Sequence, residues 1–146
     1  MKKISDEVKV NGRLIGEIDA LYHDAALKFG LNDTELKILY TLCIFGDESP
    51  LTEIRRLTAL AKQTINSGIR KLESQNLIEL SQSTPKTKNV RLTEAGKILA
   101  NQTVTKLLEI ETEIFESWKV NDVKKYLELT ERFANELKLK MQEIES

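Results

Sequence analysis

The middle of the chain, from Thr58 to Leu80, reads TALAKQTINSGIRKLESQNLIEL and has a clear helical pattern. Ile65, Ile69 and Leu72 recur at steps of four and three residues, the spacing that places side chains on one buried face of a helix. Amides and guanidinium groups form paired hydrogen bonds with adenine and guanine edges in a major groove. The opposite face of this helix carries such groups, together with small hydroxyls: Gln63, Asn66, Ser67, Arg70 and Ser74. We therefore interpret this segment as a DNA-contacting helix followed by a strand.

The residues before this segment predict a second, shorter helix. Ser49 is predicted to cap that helix and Pro50 to occupy its first position, and the helix would continue to Leu57. Two helices joined by the tight turn of residues 58–60 form a helix-turn-helix. The segment is therefore predicted to belong to a two-helix unit, and not to stand as an isolated amphipathic helix.

The residues after the segment predict a β-hairpin. Leu77–Leu80 and Asn89–Leu92 have the composition of short strands, and the polar loop Ser81–Lys88 separates them. Helix, helix, hairpin and helix in this order predict a winged helix-turn-helix, a mainly α fold with a small β-wing. The alternative use of such a module is structural or protein-binding, without DNA.

Two stretches resemble the MarR-type transcriptional regulators: LAKQTINSGIRKLESQNLIEL in the helix and first wing strand, and KNVRLTEAGK in the second strand and the helix after it. The lengths and order of the flanking helices are also similar to that family across nearly the whole chain. The resemblance implies one domain over residues 1–146. In that domain residues 31–97 form the DNA-binding module, and residues 1–30 and 98–146 form the N- and C-terminal dimerisation helices.

The chain departs from the family pattern at three positions. The family usually carries an acid and an arginine two residues apart in the wing, and Thr84 and Lys86 stand there in this chain. A serine commonly caps the recognition helix, and this chain has Ala61, whose side chain cannot accept a hydrogen bond from the first amides. These departures bear on the wing contact and on the helix cap, and not on the fold.

Positive charge is concentrated in the predicted module. Residues 54–97 hold nine basic and three acidic side chains, a net charge of +6, although the whole chain has a formal net charge of −1. Residues 1–53 carry −4 and residues 98–146 carry −3. Because phosphate neutralisation supplies most non-specific affinity for nucleic acid, a basic centre between acidic ends favours double-stranded DNA as a partner.

The outward helix face and the wing loop supply the predicted DNA contacts. Asn66 and Arg70 are expected to contact base edges, whereas the other polar residues of that face are expected to contact both bases and phosphates. The wing lysines are expected to touch the DNA backbone or the minor groove. The full predicted set is Lys62, Gln63, Thr64, Asn66, Ser67, Arg70, Lys86, Lys88 and Arg91.

The first part of the chain predicts two helices. A wide apolar stripe predicts a helix from about Asp6 to Phe29, with Gly30 as its C-terminal stop. Asn32 and Glu35 have the spacing of a capping box for the next helix. That helix is nearly all apolar towards its end, and it is therefore predicted to be the core helix behind the DNA-contacting unit.

The last part of the chain predicts two further helices. Thr93 is predicted to open a long helix to about Trp118, and Asn121 to cap the final helix. Steps of four and three residues in the final helix are typical of a coiled-coil seam. An intramolecular hairpin would cover that seam, but the uncovered stripe of the first helix favours a two-fold homodimer, which the resemblance also implies, and hence a palindromic operator. The seam residues are Val123, Leu127, Thr130, Ala134, Leu137, Met141 and Ile144.

The resemblance implies control by a small-molecule effector, most simply as a repressor that the ligand releases from DNA. It places a pocket between the first helix, the core helix and the long helix after the wing. An aromatic stripe at helical spacing is also typical of plain core. The candidate lining residues are Tyr22, His23, Tyr40, Leu107 and Phe115.

No catalytic or metal-binding pattern is found. His23 is the only histidine, with no cysteine nearby, and Cys43 lies in an apolar helix, as an inert buried thiol does. We therefore predict no enzyme activity, no cofactor and no metal.

No apolar run approaches the roughly 18 residues of a membrane span. A single cysteine fits a reducing compartment, and we expect a cytoplasmic protein without a membrane partner.

Overall fold

The computed structural model describes residues 2–144 as seven helices and three short strands. The predicted fold class is confirmed, because the described chain is mainly helical with one small antiparallel sheet. No helix among these residues is long and apolar enough to span a membrane. The predicted end segments 1–30 and 98–146 include residues 1, 145 and 146, which lie outside the described residues. In chain order the elements are α1 (Asp6–Phe29), α2 (Asp33–Ile44), β1 (Glu48–Pro50), α3 (Leu51–Thr58), α4 (Lys62–Ser74), β2 (Ile78–Thr84), β3 (Thr87–Leu92), α5 (Glu94–Gln102), α6 (Val104–Ser117) and α7 (Val120–Met141).

The first helix begins and ends, and the second helix begins, where the sequence predicts. The Ser5 hydroxyl accepts a hydrogen bond from the backbone N–H of Val8 at 3.2 Å, which satisfies one amide at the start of α1. Gly30 ends α1 with φ = 72°, a left-handed conformation that glycine adopts without strain. The predicted capping box of α2 is confirmed, because Asn32 and Glu35 exchange side-chain to backbone hydrogen bonds of 2.8 and 2.9 Å.

The core lies around α2, as predicted. Ile38, Leu39 and Leu42 of α2 have no exposed surface. This helix contacts α3, α4 and the sheet, so the helix pair and the sheet share one core with it. The core residues from these neighbours are Ile54, Ile65, Ile69, Leu72, Ile78, Val90 and Leu92.

The sheet contains a strand that the sequence analysis missed. The strand order is β1-β3-β2, and Ser49 of β1 pairs with Val90 of β3. The prediction that Ser49 caps α3 is therefore wrong, since this buried residue donates its hydroxyl to the carbonyl of Pro50 at 3.0 Å. Pro50 ends the edge strand and stands before α3, where no side chain caps the helix.

The hairpin β2–β3 is longer than predicted. The prediction of a polar loop over Ser81–Lys88 is wrong, because β2 continues to Thr84 and β3 begins at Thr87. The Thr84 hydroxyl oxygen accepts hydrogen bonds from the backbone N–H groups of Lys86 and Thr87 at 3.3 and 3.1 Å. A threonine side chain thus closes a tight turn that polar composition alone does not distinguish from a loose loop. We call this hairpin the wing.

The long helix predicted from Thr93 to Trp118 is wrong, because α5 and α6 are separate helices. Thr93 does cap α5, its hydroxyl oxygen accepting the N–H of Gly96 at 3.0 Å. The break falls at Thr103, where φ is −128° and ψ is −93°. Its hydroxyl donates to the carbonyl of Leu99 at 2.8 Å, a local hydrogen bond of the kind that competes with helix geometry.

The chain divides into two compact units, one ending at Lys106 and the other beginning at Leu107. In the second unit the predicted cap of α7 is wrong, because Lys119 stands at the cap position and Asn121 lies in the first turn.

Between the last turn of α6 and the first turns of α7, three aromatic rings cluster with centroids 5.4 to 5.9 Å apart. No described residue of α7 is buried. The three rings belong to Phe115, Trp118 and Tyr126.

Candidate nucleic-acid interface

The turn of residues 59–61 joins α3 to α4 and sets the direction of the second helix. Ala59 ends α3 in the left-handed region at φ = 54°. Before that turn, the Thr58 hydroxyl donates to the carbonyl of Ile54 at 2.8 Å. Ala61 occupies the cap position of α4, and no side chain caps that helix. The amides of its first turn are therefore open, as the alanine in the sequence predicts.

One face of α4 is held tightly against α2. A Cβ atom on Gly68 would lie 2.7 Å from Thr34 Cγ2 and 2.8 Å from Ile38 Cδ1, so only glycine permits this approach without displacement. Beside this contact, Lys71 Nζ lies 3.4 Å from an oxygen of the buried Glu35 carboxylate. Glu35, which belongs to the capping box of α2, thus also contacts α4. This contact ties the orientation of α4 to the core.

The opposite face of α4 is exposed, as its polar composition predicts. Asn66 is half-buried, and its neighbours along this face are open to solvent. Arg70 Nη2 donates to the Ser67 hydroxyl oxygen at 3.4 Å, which leaves most of the guanidinium available. The exposed residues of this face are Lys62, Gln63, Thr64, Ser67 and Arg70.

Four of the predicted DNA contacts line one cleft. This cleft, of about 380 Å³, lies between α3, α4 and the wing. Glu73 is the only acid among the described residues that line it. Cationic side chains therefore outnumber acidic ones on this concave surface next to the exposed face of α4. The four predicted contacts are Asn66, Arg70, Lys86 and Lys88.

The remaining predicted contacts lie outside this cleft. Gln63, Thr64 and Ser67 border a separate depression at the start of α4, and Lys62 lines neither. Arg91 forms an ion pair with Glu79 across the wing at 2.8 Å, and this hydrogen bond raises the pKa of the arginine. Its charge is partly satisfied within the hairpin.

Arg55, which is not among the predicted contacts, lines the same cleft from α3. Its Nη2 atom donates to Asn66 Oδ1 at 3.0 Å. The two residues are eleven positions apart on different helices, and no periodicity within one helix indicates such a pair. The available signal was the basic pair Arg55-Arg56 in the last turn of α3.

The candidate ligand residues fall into three places. Tyr22 and Tyr40 line a largely apolar cleft of about 380 Å³ between α1, α2 and the end of α3. His23 is exposed, and its Nδ1 atom lies 2.9 Å from an Asp33 carboxylate oxygen. This hydrogen bond raises the pKa of His23. Leu107 belongs to the second unit, as does Phe115 of the ring cluster described above.

Cys43 is half-buried, and the structure offers its thiol no cationic partner among the described residues. Burial raises its pKa, and the carboxylate of Asp47 adds to that effect. The thiol is therefore held in its protonated, less nucleophilic form. No group of three or more His, Cys, Asp or Glu side chains in residues 2–144 is placed to hold a metal ion.

No protein-family profile and no curated protein sequence matches the chain. Solved structures do match it. A MarR family regulator from Neisseria meningitidis is 21% identical with a TM-score of 0.82, over 95% of this chain and 99% of that chain. A MarR/EmrR family regulator from Acinetobacter sp. ADP1 is also 21% identical, with a TM-score of 0.71 over 93% and 99%.

BpsR from Bordetella bronchiseptica, whose DNA binding is regulated by 6-hydroxynicotinic acid, is 18% identical. Its TM-score is 0.62, over 84% of this chain and 97% of that one. The structural similarity agrees with the resemblance to MarR-type regulators that the sequence shows, and with the observed order of helices and strands. The chain therefore has the fold of the MarR family transcriptional regulators.

Proposed function

We propose that this chain is a MarR-type transcriptional regulator that binds a specific DNA operator as a homodimer. The observation that carries the proposal is the cleft between α3, α4 and the wing, in which Asn66, Arg70, Lys86 and Lys88 meet. These side chains suit base edges and phosphates, and they lie in the part of the chain with a net charge of +6.

The proposed contacts divide by element. Helix α4 enters the major groove, where Asn66 and Arg70 contact bases, and the residues at its start contact both bases and phosphates. Lys86 and Lys88 contact the backbone or minor groove from the wing. Arg91 supports them from β3, where its ion pair with Glu79 limits its reach.

The proposed dimer uses the apolar faces of α1 and α7. Val8 and Ile18 of α1 are 59% and 47% exposed, and Leu127 and Leu137 of α7 are 52% and 47% exposed. Soluble proteins rarely leave such continuous apolar stripes in water, so these faces call for a partner. A second copy of the chain supplies both faces at once by two-fold symmetry, and the operator is then a palindrome.

The proposed control is release from DNA by a small molecule, with the chain acting as a repressor. The apolar cleft beside Tyr22 and Tyr40 has the size of a small-ligand pocket. BpsR, a protein with the same fold, has its DNA binding regulated by 6-hydroxynicotinic acid. Phenolic and anionic aromatic compounds titrated into the operator complex should therefore include one that lowers operator affinity, and Tyr22 and Tyr40 substitutions should change its potency.

The test of DNA binding is the salt dependence of affinity for a random duplex. Each phosphate contact releases counterions, so log affinity should fall linearly with log salt, with a slope of about −0.9 per contact. A winged-helix module that binds only proteins has no reason to show this. Absence of binding at low salt, or binding indifferent to salt, would favour that protein-interaction module.

A further inference from the structure

Arg55 and Asn66 both line the cleft between α3, α4 and the wing, and the role inferred below for this pair rests on the proposed DNA-binding function. Arg55 of α3 donates from Nη2 to Oδ1 of Asn66 at 3.0 Å, and both side chains are half-buried. The Nε atom of Arg55 is fully buried and has no hydrogen-bond partner within residues 2–144. An unpaired buried N–H group lowers stability, so fold stability alone does not explain why a guanidinium occupies this place.

The chemistry of the pair fixes the orientation of the Asn66 amide. An asparagine side chain has nearly the same shape when its oxygen and nitrogen are exchanged, and only its partners decide between the two orientations. Arginine is solely a donor, so the atom facing Nη2 must be the amide oxygen. An inverted amide would bring two N–H donors together. The Asn66 amide therefore has its oxygen engaged by α3 and its nitrogen free to donate elsewhere.

The base edges in a major groove respond differently to such an amide. Paired recognition of adenine needs the amide oxygen to accept from N6 while the nitrogen donates to N7. Guanine presents two acceptors, N7 and O6, and the two hydrogens of Nδ2 suit both. Arg55 occupies one of the two lone pairs of the Asn66 oxygen and fixes the direction in which that oxygen points, so the match to adenine is weakened, whereas the match of the Nδ2 hydrogens to guanine is kept.

We infer that Arg55 is a positioning residue that orients the Asn66 amide as a donor, so that Asn66 selects guanine over adenine at one base pair of each half-site. Arg55 acts through Asn66 and needs no contact with DNA of its own. The specificity of this position therefore depends on a residue of α3 as well as on the recognition helix.

The experiment compares Arg55→Met with Arg56→Met. Arg56 is the adjacent arginine, exposed and paired with Glu53 at 2.6 Å, so its replacement removes the same charge without touching Asn66. An operator is first selected with the parent protein, and affinities are then measured for duplexes carrying each base at each position. Circular dichroism verifies that both variants are folded.

We expect Arg55→Met to reduce the preference for guanine over adenine at one base pair about 5- to 150-fold, the range of one paired base contact. Arg56→Met should keep every base preference. A loss of affinity with Arg55→Met that is uniform over all sequences would overturn the inference, because it would show that Arg55 contributes charge and not orientation.

A second variant, Asn66→Asp, keeps the arginine partner, replaces the amide nitrogen that faces DNA by an oxygen and adds a negative charge. Its second carboxylate oxygen is an acceptor, and in the groove it suits the N4 amino group of cytosine. We expect weaker binding overall and a change from guanine to cytosine at the same base pair. An unchanged guanine preference would overturn the inference, whether or not Arg55→Met folds.

The outcomes separate this inference from the proposed function. If the parent protein selects an operator but either folded variant keeps the parent's guanine preference, the inference is wrong and the proposed function stands. If the folded parent protein selects no sequence from random DNA, both are wrong.

Discussion

Arg70 is the residue whose loss should most directly reveal base contact by α4. Arg70→Ala should weaken operator binding by about 1–3 kcal/mol and relax the preference at one base pair, because a paired arginine–guanine contact is removed. Fluorescence anisotropy on labelled operators measures both effects. The matched control is Arg132→Ala, which removes an exposed arginine of α7 paired with Glu136 at 2.9 Å. Parent-like affinity and selectivity in Arg70→Ala would show that α4 is not the reading helix.

His23 links α1 to the first turn of α2, and this link should depend on pH. The hydrogen bond to Asp33, with smaller help from the charges of Asp33 and Asp24, raises the His23 pKa. Its contribution to stability is therefore complete below the ordinary histidine pKa of about 6.5, and is lost as pH rises through the raised value. The stability advantage of the parent over His23→Gln should accordingly shrink between acidic and mildly alkaline pH.

Urea unfolding of both proteins at several pH values measures that difference. Because His23 is the only histidine, no other imidazole contributes to it. The effect should be small, since both side chains of the pair are more than half exposed. An advantage that grows with rising pH would contradict the assignment of the pair.

Residue patterns predicted local features well and long-range pairs poorly. The Asn32–Glu35 box and the buried face of α4 depend on spacing within one helix, which a sequence displays directly. Ser49 has the residue type of a helix cap, whereas its actual pairing with Val90 joins residues far apart in the chain and is therefore not visible in the local sequence. The Arg55–Asn66 bond was missed for the same reason.

At the scale of elements, the packing of α4 on α2 depends on Gly68. Gly68→Ala should lower the free energy of unfolding by about 1–3 kcal/mol, because the added methyl group overpacks against Thr34 and Ile38. Ser67→Ala is the matched control, since it places alanine on the exposed face of the same helix and should change stability by less than about 0.5 kcal/mol. Equal unfolding free energies for the two variants would show that Thr34 and Ile38 shift to accept the added methyl group, so that this contact does not require glycine.

The wing should position the protein on DNA without selecting sequence. Replacing Lys86 and Lys88 by alanine should weaken binding to all duplexes alike and flatten the salt slope by up to about 2, because two phosphate contacts are lost. The control replaces Lys138 and Lys140, two exposed lysines at the end of α7. A loss confined to the operator, with an unchanged slope, would contradict this role.

The elements that differ from the sequence prediction are those that depend on tertiary pairing or on side-chain hydroxyl groups. The three-residue strand β1 has no pattern of its own and forms only because β3 lies beside it. The wing extends because Thr84 closes its turn, and α5 ends because Thr103 leaves helical geometry. Composition records that these residues are polar, but it does not record which hydrogen bonds they make.

At the scale of the whole molecule, the exposed stripes of α1 and α7 should be buried in a homodimer. A chain truncated after Lys119 lacks α7, so it should lose most of the proposed interface and sediment as a monomer at micromolar concentration. The full chain should sediment as a dimer under the same conditions. A monomeric full chain would leave both stripes without a partner and would contradict the proposed assembly.

Binding of specific DNA by a two-fold dimer through α4 is the proposal on which the other expectations depend. Selection of bound sequences from a random duplex library by the full chain tests it most directly. The predicted result is an enriched palindrome with half-sites roughly 10 bp apart, centre to centre, because two recognition helices must enter successive major grooves on one face of the duplex. A library that remains random after repeated selection by folded protein at low salt would contradict the claim.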